Sequence, residues 1–240
     1  MKRGFTLLEL IIVIAILAVL AVAVVIVLNP AEVLAKARDS NRLSDLSALK
    51  SAIALYLTDV SPPLLGSPTD EATSAVNCTG TGVVTAKIFY SYPNTAPGAD
   101  FTEGAAPTMG TDADGATLLA AWAVQVANAN VNLVNGTGWV PVDLNDISPS
   151  GSPPLSVMPV DPTNKISDTT APYVPSVTDT IYRYACNHPK KLFQIVGNLE
   201  SATYKNTGAQ DRESTDGGQI ADLYETGTAL RIFPAASGAW

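Results

Sequence analysis

The sequence predicts an α+β protein in which one long N-terminal helix, membrane-spanning in its first half and amphipathic in its second, packs on a C-terminal antiparallel β-sheet head. Three observations predict it: an apolar run unbroken from Leu10 to Leu28, a stripe of apolar residues at spacings of three and four beyond Pro30, and short β-rich runs parted by turn residues through the second half. At 240 residues the chain suits one membrane segment plus a single soluble domain. Acidic residues outnumber basic ones by 22 to 14, which lacks the basic footprint of a nucleic-acid-binding surface, so no nucleic-acid site is expected. Gly and Pro are frequent and charged residues few, as in an extracytoplasmic β-rich domain.

Phe5 to Leu28 as a helix is about 36 Å long, enough to cross a hydrocarbon core of about 30 Å. This core is longer than that of an ordinary secretory signal, although Ala35-Lys36-Ala37 supplies an A-x-A pattern and keeps a cleavable signal as an alternative. Lys2 and Arg3 before the span balance Lys36, Arg38 and Arg42 after it, so positive charge does not orient the span. Glu9 sits one step before the unbroken run. An ionised acid at the centre of a membrane helix costs about 2.5–3.5 kcal/mol, and near the end less. One reading lets Glu9 snorkel to the headgroups. Another pairs it with Phe5, which stands four residues earlier on the same helix face.

A third reading starts from Lys2-Arg3-Gly4 followed by Phe5-Thr6-Leu7-Leu8-Glu9. This stretch resembles the processing site of type IV prepilins and of type II secretion pseudopilins. The resemblance implies a pilin fold and a leader, residues 1–4, removed by prepilin peptidase cutting after Gly4 and N-methylating Phe5. It implies that the helix 5–28 stays on the mature protein as transmembrane anchor and filament core, and that Glu9 of an incoming subunit meets the Phe5 amine of its docked neighbour. It further implies a homo-oligomeric helical filament, an inner-membrane assembly platform with its ATPase, a precursor in the bacterial cytoplasmic membrane and a mature filament outside the cell. A secretion pseudopilin, or a membrane-anchored extracytoplasmic binding module that never polymerises, are the rival readings.

Asn29-Pro30-Ala31-Glu32 restarts the helix, with Asn able to cap, Pro suited to the first helical position and Glu at the third. Pro30 removes a backbone donor, so a kink or a short melted stretch is expected near residues 26–30. Residues 29–60 then form the amphipathic half: Leu43, Leu46, Leu49, Ile53 and Leu57 make the stripe, while Arg38, Asp39, Arg42, Asp45 and Lys50 are expected to face solvent or neighbours. Ser61-Pro62-Pro63 ends it.

Residues 61–240 are expected to form the head. Strands are predicted at Ala86–Tyr92, Trp139–Leu144, Thr180–Asn187, Lys191–Asn198 and Ala229–Phe233, a short helix at Ala116–Asn128, and a hairpin loop at Asn187-His188-Pro189-Lys190. Gly138-Trp139-Val140-Pro141-Val142-Asp143, Met158-Pro159-Val160-Asp161-Pro162 and Asn198-Leu199-Glu200-Ser201 also resemble pieces of pilin and pseudopilin heads.

Cys78 and Cys186 are an even pair, whose default reading outside the cytoplasm is one disulfide and whose alternative is two buried thiols. With one histidine, His188, they fall short of a zinc site. Asp216-Gly217-Gly218 resembles the calcium region of major pseudopilins, but with only Asp211, Glu213 and Asp222 nearby a solvated turn is preferred. Asp112-Ala113-Asp114-Gly115 ends with Ala123 where a bidentate Glu should stand and is rejected as a calcium loop. No metal and no cofactor are therefore expected. Asn77-Cys78-Thr79 and Asn135-Gly136-Thr137 fit the N-glycosylation acceptor pattern and are read as exposed loop residues. No catalytic triad is legible, and Asp143 with Asp161 is not evidence for hydrolysis without a cleft, so no enzyme is expected.

Overall fold

The computed structural model describes residues 5–78, 87–92, 109–111, 117–118, 122–124, 126–147, 152–167 and 175–233. The N-terminal rod is two consecutive helices, α1 at Leu7–Leu28 and α2 at Pro30–Asp59. They part at Asn29, whose left-handed backbone (φ 39°) ends the first helix while its side chain accepts from the Glu32 N–H and caps the second. The predicted break is therefore present, with Pro30 at the first position of α2 and the left-handed geometry carried by Asn29.

Beyond the rod come α3 (Glu71–Asn77), β1 (Lys87–Tyr90), β2 (Met109–Thr111), β3 (Thr117–Leu118), β4 (Trp122–Val124), a 3-10 turn at Leu144–Ile147, β5 (Tyr182–Asn187), β6 (Leu192–Gly197) and β7 (Tyr224–Gly227). The main sheet runs β4-β1-β5-β6-β7, with β2 and β3 a separate pair. Four strands, β1, β5, β6 and β7, are antiparallel, and β4 adds to the β1 edge in parallel. The α+β layout of rod and sheet is that of a pilin fold. The β5–β6 hairpin pairs Tyr182 with Gly197 through to Asn187 with Leu192, and its predicted loop is a turn closed by Lys191 N–H donating to the His188 carbonyl.

Three local expectations give way. Thr117–Leu118 and Trp122–Val124 are extended where a helix over 116–128 was expected, because pairing of β3 with β2 and of β4 with β1 overrides the helix preference of the Ala and Leu residues there. Trp139–Leu144 forms no strand: Trp139, Val140, Val142 and Leu144 are fully buried, but their backbone bonds run to the Val131 and Val134 carbonyls rather than to a ladder. The last strand is Tyr224–Gly227, paired with β6, and not Ala229–Phe233.

Both faces of the sheet are covered, which is why every residue of β5 is buried. Tyr182, Tyr184, Cys186, Phe193 and Ile195 point to α2, where Leu46, Leu49, Ile53 and Tyr56 meet them. Ala185 and Val196 face the other way, under Ile220, Leu223, Ile232 and Phe233. Gly197 lets helix and sheet approach: a Cβ there would lie 3.1 Å from the Tyr182 ring and 3.2 Å from Leu46. Cys78 and Cys186 form a disulfide between the end of α3 and β5, closing a separation of 108 residues.

Candidate processing and assembly segment

The rod begins with a reciprocal cap. Thr6 precedes α1 in an extended conformation and its hydroxyl accepts from the Glu9 N–H at 3.3 Å, while the Glu9 carboxylate accepts from the Thr6 N–H and hydroxyl, both at 2.9 Å. Two orphan donors at the helix start are thereby met by the residue that looked out of place. Thr6 was missed in the sequence, although Thr followed by Glu at the third position is a legible capping box. Phe5 stands free and exposed just before it. Gly4 lies outside the described residues.

The rest of α1 is apolar all round and its described side chains are exposed, with none of the described head residues burying them. It is the one helix among the described residues long and apolar enough to cross a membrane. Leaving such side chains in water forgoes about 1.5–3 kcal/mol for each Leu, Ile or Val, so they require either lipid or other helices.

At the rod's other half the head is clamped by ions. Arg42, expected to face solvent, is fully buried, as is Asp39. Arg42 donates through Nε and Nη2 to the two oxygens of Asp161 at 2.7 and 2.8 Å, through Nη1 to Asp39 at 2.8 Å and through Nη2 to Glu200 at 2.8 Å. Asp39 in turn accepts from the Glu200 and Ser201 N–H groups, each at 2.8 Å, and Arg38 donates to Glu200 at 2.6 Å. One turn after the break, Glu32 accepts from the Ala202 and Thr203 N–H groups at 3.1 Å. Burial disfavours the Arg42 cation, but Asp161 and Glu200 more than offset this and raise its pKa. Burial alone would raise the Glu200 pKa, and bonding to Arg42 and Arg38 outweighs it, holding that carboxyl below its usual value.

This clamp unites the head pieces singled out from the sequence. Asp161 comes from the Met158–Pro162 stretch and Glu200 from Asn198–Ser201, while Trp139 donates its ring N–H to the Pro159 carbonyl at 2.8 Å. Asp143 is not brought to Asp161; it bridges to Asn135 and accepts from Asn145.

Two further clusters differ from the sequence expectation. His188 links Ser74 (3.1 Å from Nδ1) to Glu71 (2.7 Å from Nε2), with the Lys191 ammonium alongside. The ring bond first, then the nearby charges of His188 and Lys191, hold the Glu71 carboxyl below its usual value. Ser74 is fully buried and its hydroxyl accepts the Gly66 N–H, so the set ties α3 to the β5–β6 turn beside the disulfide and offers no accessible nucleophile. At Asp216-Gly217-Gly218 the carboxylate accepts from the Gly218 and Glu225 N–H groups, and Glu225 accepts from Gln194 and from Ile220 N–H. Asp216 is half-buried, so the turn is less solvated than the sequence reading had it, and Glu225, which is buried, was overlooked. Burial raises the Asp216 pKa and pushes Glu225 up to about 7. Among the described residues no three His, Cys, Asp or Glu side chains converge as a metal site.

Against this geometry, the family described as the prokaryotic N-terminal methylation motif matches residues 1–25. The chain carries the prepilin-type motif of type IV pilins and pseudopilins, proteins that are structural rather than catalytic. Motif and apolar helix together fit a membrane-anchored precursor. Neither a curated protein nor a solved structure matches the chain.

Proposed function

We propose that this chain is the structural subunit of a type IV pilus-like filament and has no enzymatic role. Residues 1–4 are the leader that prepilin peptidase removes after Gly4, Phe5 becomes the methylated N-terminus, and residues 5–28 anchor the precursor in the cytoplasmic membrane. An inner-membrane platform and its ATPase then extract the rod, and the helices pack together in an extracellular filament that displays the head, residues 61–240. The observation that carries this reading is the union of the prepilin-type motif with a helix whose described side chains are all exposed. Among the described residues nothing buries the apolar surface of α1, and exchange of lipid for sister helices satisfies it at both stages.

Glu9 fits both stages as well. In the precursor its charge is met by the Thr6 N–H and hydroxyl, so the carboxylate is not bare at the membrane edge. After cleavage the new Phe5 amine offers an opposite charge, and pairing it with Glu9 of an entering subunit selects one axial register. Mass spectrometry of the mature N-terminus, with electron microscopy of sheared material, tests the proposal. A methylated Phe5 in sheared fibres is expected. A chain that keeps residues 1–4, or stays wholly in the membrane fraction with no fibres, overturns it and favours an anchored binding module.

A further inference from the structure

The acceptor triplet for N-linked sugar occurs twice, and the two copies fold into opposite circumstances. Asn77 is the last residue of α3, is only 8% exposed, and donates its amide Nδ2 to the Gly66 carbonyl at 2.7 Å. Its neighbour Cys78 is held in the disulfide. That nitrogen is enclosed and spent.

Asn135 is exposed, as is Thr137 two residues on. The Asn135 Oδ1 accepts from the Thr137 N–H at 3.2 Å and from the Thr137 hydroxyl at 2.7 Å, which is an Asx turn reinforced by the threonine. The Thr137 N–H can only donate, so the amide atom facing it is the oxygen, and Nδ2 turns away from the turn. Two donors on Oδ1 draw electron density toward oxygen and favour the imidate-like form, in which nitrogen loses a proton and becomes nucleophilic.

The turn is also held in place. Asn135 bridges to Asp143 in an antiparallel contact, and Leu144 N–H donates to the Val134 carbonyl at 2.8 Å. Gly136 has φ 77° and lies against Pro68, where a Cβ would come within 2.2 Å, so this position accepts glycine alone. Beneath it the chain descends into the buried Trp139, Val140 and Val142. The acceptor is thus presented outward on a fixed base.

We propose that Asn135 is a site of N-linked glycosylation, taking an oligosaccharide from a lipid-diphosphate carrier, and that Asn77 is not. In the transfer, Nδ2 forms a bond to the anomeric carbon and the bond from that carbon to the diphosphate oxygen breaks. The amide proton passes to a base on the transferase, and the polyprenyl diphosphate leaves. The inference rests on the head lying outside the cytoplasm, as the proposed function requires.

Glycopeptide mass spectrometry of the protein from its own cells tests this. A carbohydrate increment is expected on the peptide containing Asn135, absent from the Asn77 peptide, lost in N135Q and T137V, and kept in T137S and N77Q. An unmodified Asn135 in the wild-type chain overturns the proposal whatever the variants do. So does sugar on Asn77, or sugar that survives N135Q. The same digest reports the N-terminal peptide, so failure of the processing at Phe5 is read separately from failure of the glycan.

Discussion

The two halves of the rod have the same secondary structure and opposite fates. In α1 every described side chain is exposed and, among the described residues, its only side-chain polar contacts are the cap at Thr6 and Glu9. In α2 a face of Ala35, Asp39, Arg42, Leu46, Leu49, Ala52, Ile53 and Tyr56 is buried, and the head is fastened to it by ions as well as by apolar contact. The first half is left for other molecules to cover; the second has been used by its own chain. Helicity therefore says nothing about partnership here. What separates the halves is whether polar residues on the helix find partners distant in sequence.

The largest effect is expected at Glu9. E9A removes the charge and the carboxylate half of the cap, leaving the Thr6 hydroxyl on the residue-9 N–H, whereas E9Q keeps a capping side chain and loses only the charge. Both are expected to be cleaved before Phe5 and both to lose most fibre yield, at least about tenfold. Counting sheared fibres checks it, and normal yield from E9Q would assign the residue to capping alone.

Next comes Arg42. R42A leaves Asp39, Asp161 and Glu200 facing one another without a cation, and breaking such a buried set is expected to cost about 3–5 kcal/mol of head stability. R42K should fall between, since an ammonium cannot match both Asp161 oxygens. Denaturant titration of the full chain in micelles gives both values, and the N-terminal cleavage of either variant should be unchanged.

A pH profile sharpens the contrast within the head. The Glu200 pKa is lowered by its arginines, so its contribution is present above the unfolded value of 4.5 and is lost as pH falls through the folded one. Glu225 is raised to about 7 by burial, so its contribution is complete below 4.5 and is lost as pH rises through about 7. Melting temperature should therefore peak between these limits, with the α2 clamp loosening on the acid side and the Asp216–Glu225 turn on the alkaline side. A flat profile from about pH 2 to about pH 8 would contradict both assignments. The smallest effect is expected at the break: N29A loses the cap of α2 and about 1 kcal/mol, seen as reduced helicity by circular dichroism in micelles.

Much of this was legible in the sequence because it depends on local order. The span, the break near Pro30, the α2 stripe and the β5–β6 hairpin are set by residues within a few positions of one another. The Arg42 clamp was not legible, because a charged residue on a helix reads as solvated until its partners are known, and Asp161 and Glu200 lie 119 and 158 residues away. Tyr224–Gly227 was passed over for the more apolar Ala229–Phe233, yet the ladder of β6 selects it, and the Gln194 side chain instead takes the N–H groups of Ile232 and Phe233. Trp139–Leu144 has the composition of a strand but supplies bulk beneath α2, an outcome that pattern alone does not separate from pairing.

Glu32 grips residues 202–203 only one turn beyond Asn29, and Arg38 and Arg42 follow within the next three turns. The molecule therefore has almost no stalk. Any pull on the first helix passes to the head across about 6 Å of chain, at about 1.5 Å per residue, with little slack to absorb it. The tilt of the rod in its surroundings fixes the tilt of the head, and a tug from below loads the ionic fastening before it strains the sheet.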